Sequence, residues 1–108
     1  MLAQSLDANR SIEYQDNRIS KYVAQYGKCA VTEKVLWIDE IHCHHILPKT
    51  NGGTDDYANL VIVHKNIHKL IHATTSETIN AYRSIIQPTK PMLSKINKYR
   101  IAVGNAAI

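Results

Sequence analysis

The chain has 108 residues, 44% of them hydrophobic, no Phe, and a formal net charge of +4. This length favours one domain with a modest core, which a bound metal could help to stabilise. Two cysteines are too few for a disulfide framework, no apolar run reaches the ~18 residues of a membrane span, and the basic balance leans towards a polyanion, nucleic acid being the commonest.

A basic but inert small protein would carry the same charge. The cysteine usage points to a reducing, cytoplasmic setting, and Met1 to Arg10 lacks the basic start and apolar stretch of a signal peptide. Residues 1–12 show little periodicity and read as a flexible leader. Ile19, Tyr22, Val23 and Tyr26 then recur at helical spacing, with Asp16 placed to cap the start and Gly27 to end the helix. Residues 35–38 and 41–47 read as extended segments separated by Asp39-Glu40, and Pro48 interrupts the second. Lys49 to Tyr57 is a polar loop in which Gly52 and Gly53 are turn glycines. Leu60 to Val63 reads as a short strand. His64 to Ala73 reads as a helix that buries Ile67, Leu70 and Ile71. Thr74-x-x-Glu77 has the form of a capping box for a helix running to about Gln87. A last helix, from about Pro91 to Gly104, carries Lys90, Lys95, Lys98 and Arg100. The elements predict an α+β domain: a two-stranded hairpin and a helix, with further helices on either side.

All six histidines lie between His42 and His72. Histidine both binds divalent metals and takes up a proton near neutral pH. His68 and His72, four apart on a helix, project from one face and can share an ion. A third ligand must come from elsewhere, and the His44-His45 pair is the candidate. Three protein ligands with an open position describe a catalytic rather than a structural metal. Neighbours on a strand point to opposite faces, so one of the pair can bind metal while the other activates water for attack on phosphorus.

The run Ile41-His42-Cys43-His44-His45, then Gly52-Gly53-Thr54-Asp55, Asn59-Leu60 and His68-x-x-x-His72 resembles the HNH nuclease motif of the ββα-metal fold over about residues 27–73. Asn17 to Ser20, Gln25 to Thr32 and Leu93 to Ile108 resemble the C-terminal DNA endonuclease domain of group II intron reverse transcriptase/maturase proteins. That wider likeness implies a nuclease domain over 13–108, with a motif core at 27–73 and basic C-terminal helices at 74–104. It also implies metal ligands His44, His68 and His72, a general base at His45, and Asn59 either bracing the loop that carries the base or reaching the metal. By resemblance the reaction is phosphodiester hydrolysis to a 5′-phosphate and a 3′-hydroxyl, and in intron-encoded proteins it nicks one strand of target DNA.

The implied partners are DNA and, in an intron setting, intron RNA or a reverse transcriptase domain. The implied working ion is magnesium or manganese, whereas three imidazoles suit zinc, nickel or cobalt on ligand softness. The structural zinc of many HNH domains would need ligands where this chain has Cys29, Thr32, His64 and Ile67. With two of the four lost, either no such zinc is present or a remnant site joins Cys29 and His64. His64 otherwise reads as supporting the fold or the site, His42 as a surface or DNA-facing residue, and Cys43 as a small core residue. Glu33 stands where the intron proteins often carry Gly, which would alter a turn. Lys49, Lys65, Lys69, Lys95, Lys98 and Arg100 are candidate phosphate contacts, a solvated charged face being the competing reading. Two other functions remain open: an inactive, metal-stabilised module that binds DNA or intron RNA, and a metal-stabilised interaction domain without a nucleic-acid role.

Overall fold

The computed structural model describes residues 11–108; most of the expected leader lies outside them. The order is α1 (Ile12–Ala24), β1 (Ile41–His45), β2 (Leu60–His64), α2 (Lys65–His72), α3 (Ser76–Ile86) and α4 (Lys90–Ala102). The class is the expected α+β. β1 and β2 pair antiparallel, with Ile41 opposite His64 and His45 opposite Leu60.

α1 begins five residues earlier than the Asp16 cap would place it. Ser11 is the cap, its Oγ accepting from Tyr14 N–H at 3.0 Å. A Ser hydroxyl facing the first turn satisfies a donor that the helix itself leaves open. Asp16 therefore lies inside the helix. The chain leaves α1 through Tyr26 and Gly27, both with positive φ.

Residues 35–38 are not a strand. Val35 makes a single bridge to Lys28, and Trp37 already opens a short turn that Glu40 closes by accepting from Trp37 N–H at 2.8 Å. Apolar residues predicted a strand here, but the Glu40 carboxylate offers the backbone a local partner instead. Val35, Trp37 and Ile38 remain exposed while Leu36 is buried. Glu33 adopts φ 60 in the preceding turn, so it takes up the left-handed geometry that Gly would supply without strain.

β2 is apolar from Leu60 to Val63 and α2 sets Ile67, Leu70 and Ile71 against it. Together with Val31, Leu36, Cys29 and Ile96 of α4 they form the core. His64 begins α2 by accepting from Asn66 N–H at its Nδ1, 3.0 Å away. The cap of α3 is Thr75, which accepts from Thr78 N–H, rather than Thr74. α3 ends at Gln87, which turns left-handed before Pro88. Thr89 caps α4, with Pro91 in its first turn.

Candidate metal centre

The pairing of β1 with β2 sorts the histidines by face. His42 and His44 stand opposite Val63 and Val61, while Cys43 and His45 stand opposite Ile62 and Leu60. Directly opposed residues share a face and successive ones alternate. His44 meets the rings of His68 and His72, at centroid distances of 5.1 and 5.2 Å. His45 stacks instead on Tyr14 of α1, at 5.4 Å and an interplanar angle of 11°. The two neighbours thus serve different sides of the hairpin.

His44, His68 and His72 each offer a ring nitrogen, and the three lie within 4.8 Å of one another. The one-turn spacing on α2 brings His68 and His72 to within 4.8 Å, centroid to centroid. His44 is 1% exposed, and among the described residues neither of its ring nitrogens has a hydrogen-bond partner. A buried polar atom left unsatisfied costs about 1–3 kcal/mol. A cation between the rings removes that cost, so the residues present fit a metal ion.

His42 joins this group. Its Nδ1 lies 2.9 Å from Nδ1 of His68. One of these nitrogens must donate and the other accept. If His68 offers Nε2 to an ion, its Nδ1 carries the hydrogen and His42 Nδ1 accepts it. A partner of this kind fixes the tautomer and ring orientation of a metal ligand. In sequence His42 reads as a surface or DNA-facing residue; the strand pairing puts it on the face of His44. The signal that would have found it is the two-residue strand period facing a helical histidine.

Burial is the main reason these imidazoles stay neutral. It pushes His44 down to about 3 and His68 down to about 4, with mutual repulsion among the rings adding to the effect. His72 is lowered by burial alone, and His42 by burial and then by Lys69 and Lys65. Neutral imidazole is the form that binds metal.

On the other face, His45 Nε2 lies 2.8 Å from Asp55 Oδ1. The other carboxylate oxygen accepts from Ser11 Oγ–H and Lys49 Nζ–H. Asp55 is 8% exposed. Its partnership with His45 did not emerge from sequence, because both partners sit in a motif whose spacing says nothing of side-chain direction.

Asn59 staples the loop between the strands. Its Nδ2 donates to Leu47 O and Thr54 O, and its Oδ1 accepts from Leu47 N–H at 2.9 Å. Both ends of its amide are occupied by backbone. Gly53 sits inside this loop, where an added Cβ would lie 1.8 Å from Leu47 O.

The basic residues divide. Lys65 and Lys69 flank the histidine cluster closely enough to disfavour the charged form of His42. Lys98 is exposed. Lys95 Nζ donates to Ala30 O at 3.3 Å, and Lys49 is held by Asp55. Arg100 is a correction. It is 2% exposed and donates to Leu70 O, Ala73 O and Ala106 O. The guanidinium thus faces inward and closes the C-terminal end of α2, where Leu70 O also accepts from Ala73 N–H and Ile71 O from Asn105 Nδ2.

Cys29 Sγ accepts from the backbone N–H groups of Val31, Thr32 and His64 at 3.3–3.4 Å. His64 is committed to Asn66 and to Glu40, whose Oε2 is 3.1 Å from Nε2. Among the described residues no cluster of three potential ligands includes Cys29 or His64.

A strand pair and a helix that converge three imidazoles define an α+β domain with a histidine cluster that could hold a metal ion. Residues 28–74 match the family model described as HNH endonuclease. That span runs through β1, the loop, β2 and α2 and contains His44, His45, Asn59, His68 and His72. The match indicates a nuclease-type, metal-dependent function. No curated protein and no solved structure matches the chain. Among the described residues, no helix is long and apolar enough to cross a membrane.

Proposed function

We propose that this chain is a metal-dependent DNA endonuclease of the HNH type. The observation that supports it most is the pair of orphaned, buried nitrogens of His44, inside the span that matches the HNH family. In this reading His44, His68 and His72 hold one divalent ion. The donor set suits zinc or nickel, while magnesium or manganese would complete an oxygen shell from water and the substrate phosphate. The ion, when bound, polarises the phosphate and stabilises charge on the leaving oxygen.

His45 is the general base. Its ring nitrogen takes a proton from water as the water oxygen bonds to phosphorus and the bond to the 3′-oxygen breaks, giving 5′-phosphate and 3′-hydroxyl ends. Asn59 acts on this step from a distance, by holding Leu47 and Thr54 so that the loop after His45 keeps its course. Lys65, Lys69 and Lys98 supply positive charge to the DNA backbone, which positions the chain without reading sequence. A role in nicking one strand during intron mobility, beside intron RNA or a reverse transcriptase domain, rests on the resemblance of the flanking segments alone.

Plasmid nicking with added divalent metal tests the proposal. His45→Ala should abolish cleavage and leave metal affinity near that of the parent, whereas His68→Ala should lose both. A His45→Ala chain that cuts as well as the parent sinks the assignment of the base. A parent that binds DNA in a salt-sensitive way but never cuts is instead the inactive, metal-stabilised binding module.

A further inference from the structure

We propose that Asp55 is the positioning residue of the base: it holds His45 in the Nε2–H tautomer and at a fixed ring angle, and α1 locks the pair in place. The inference rests on the reading of His45 as base and deepens it.

Both carboxylate oxygens of Asp55 are engaged, Oδ1 by His45 at 2.8 Å and Oδ2 by Ser11 at 2.9 Å and Lys49 at 3.0 Å. The backbone is held as well, since Asn17 Nδ2 donates to Asp55 O at 2.9 Å. With four bonds on one buried residue, the plane of the carboxylate is set by the protein. The His45 hydrogen bond, then those of Lys49 and Ser11, bring the carboxyl down to about 2 against the opposing effect of burial. An ionised carboxylate only accepts, so the nitrogen facing it carries the hydrogen. A neutral imidazole has one such hydrogen, so Nδ1 is left with the lone pair that a base needs. Tyr14 lies flat against the ring, which opposes rotation about its last torsion.

The Ser11 hydroxyl joins these parts. It accepts from Tyr14 N–H as the cap of α1 while donating to Asp55. α1 lies wholly outside the span that matches the HNH family. The pair of His45 and Asp55 is therefore held in part by a segment outside the shared motif. A general base needs geometry before it needs affinity for a proton, and a fixed tautomer is part of that geometry.

A simple staple between α1 and the loop would show the same bonds to Ser11 and Asn17, so the test must read His45 itself. In the full chain labelled with 15N-histidine, at a pH where the ring is neutral, NMR should find the hydrogen of His45 on Nε2. Asp55→Asn, whose amide can donate as well as accept, should lose that preference. Its kcat for plasmid nicking should fall roughly 100-fold, the lower end of what a positioned base contributes, with KM and zinc affinity near the parent values. Ser11→Ala should keep the Nε2–H form, because the bond from His45 to Asp55 remains.

A parent ring protonated on Nδ1 overturns the proposal, whatever the plasmid assay shows. So does an Asp55→Asn chain that melts lower yet keeps the parent tautomer and kcat. A parent that never nicks ends the nuclease reading, and the tautomer measurement still decides the role of Asp55.

Discussion

His42 and His44 stand two apart on β1 and address the same helical histidine in different ways. His44 offers nitrogens that have no hydrogen-bond partner among the described residues, whereas His42 offers His68 a hydrogen-bond partner at 2.9 Å. Removing them should therefore differ in degree. His44→Ala should abolish binding of one zinc ion, measured by chelator competition. His42→Ala should weaken it about 10–100-fold, the usual cost of losing a group that orients a ligand. Equal losses in the two variants would make His42 a ligand in its own right. Arg100 gives a contrasting case. It resembles a phosphate contact in sequence and is a brace in structure, so Arg100→Ala should cost about 3 kcal/mol by withdrawing the buried donors to Leu70 O, Ala73 O and Ala106 O. Lys98→Ala, on an exposed position of the same helix, should change stability by no more than about 0.5 kcal/mol. Thermal melts of the two variants separate these roles, and a mild Arg100→Ala would show that the buried bonds are weaker than their geometry implies.

Among the elements, the loop joining the strands contributes most to the site while having the least regular structure. Asn59 closes it with three side-chain bonds to Leu47 and Thr54, and Gly53 lets the backbone pass Leu47 O where a side chain has no space. Asn59→Ala should lose about 2 kcal/mol, given a net value near 1 kcal/mol per bond and some rescue by water. Its nicking rate should fall further than its zinc affinity, since His45 adjoins the loop and Asp55 lies within it, whereas His68 and His72 stand on α2. A variant that loses zinc first would place Asn59 at the ion instead. This loop also marks the limit of what was legible in the chain. The four-residue spacing on α2 and the alternation on β1 are periodic, so the convergence of His44, His68 and His72 could be read directly. The partnership of His45 with Asp55 is not periodic: it depends on a turn that brings position 55 back beneath position 45, and on Ser11, far away in sequence. The helix starts were misplaced for a related reason. Ser11 and Asp16, or Thr74 and Thr75, are equally good caps by composition, and only packing of the apolar face selects between them. At residues 35–38 an apolar run predicted a strand, but Glu40 supplied a closer partner for the backbone than any neighbouring strand.

For the molecule as a whole, the same burial that prepares the metal site makes the fold sensitive to acid. His44 and His68 titrate near 3 and 4 in the folded chain against about 6.5 when unfolded. Between those values the unfolded chain binds more protons, so stability rises with pH across this window and is lost as pH falls. Asp55 adds in the same direction at the lower end. Its folded value near 2 lies below the ordinary carboxylate range, so its contribution is present above about 4 and disappears as pH falls towards 2. The metal-free chain should therefore show a melting temperature that climbs from about pH 3 to pH 6.5 and then levels. A divalent ion acts on the same equilibrium from the other side, because it binds folded, neutral imidazoles. At 100 times its dissociation constant it should add about 2.7 kcal/mol, and this gain should shrink as acid protonates the ligands. Melts with zinc and with chelator at pH 5 and pH 7.5 measure both effects at once. A zinc-dependent rise in melting temperature at pH 7.5 that is smaller at pH 5, and absent in His44→Ala, is the expected pattern. If zinc raises the melting temperature equally in His44→Ala, the ion is held elsewhere on the surface, and the three converging rings are then a packing arrangement of the small core rather than its metal centre.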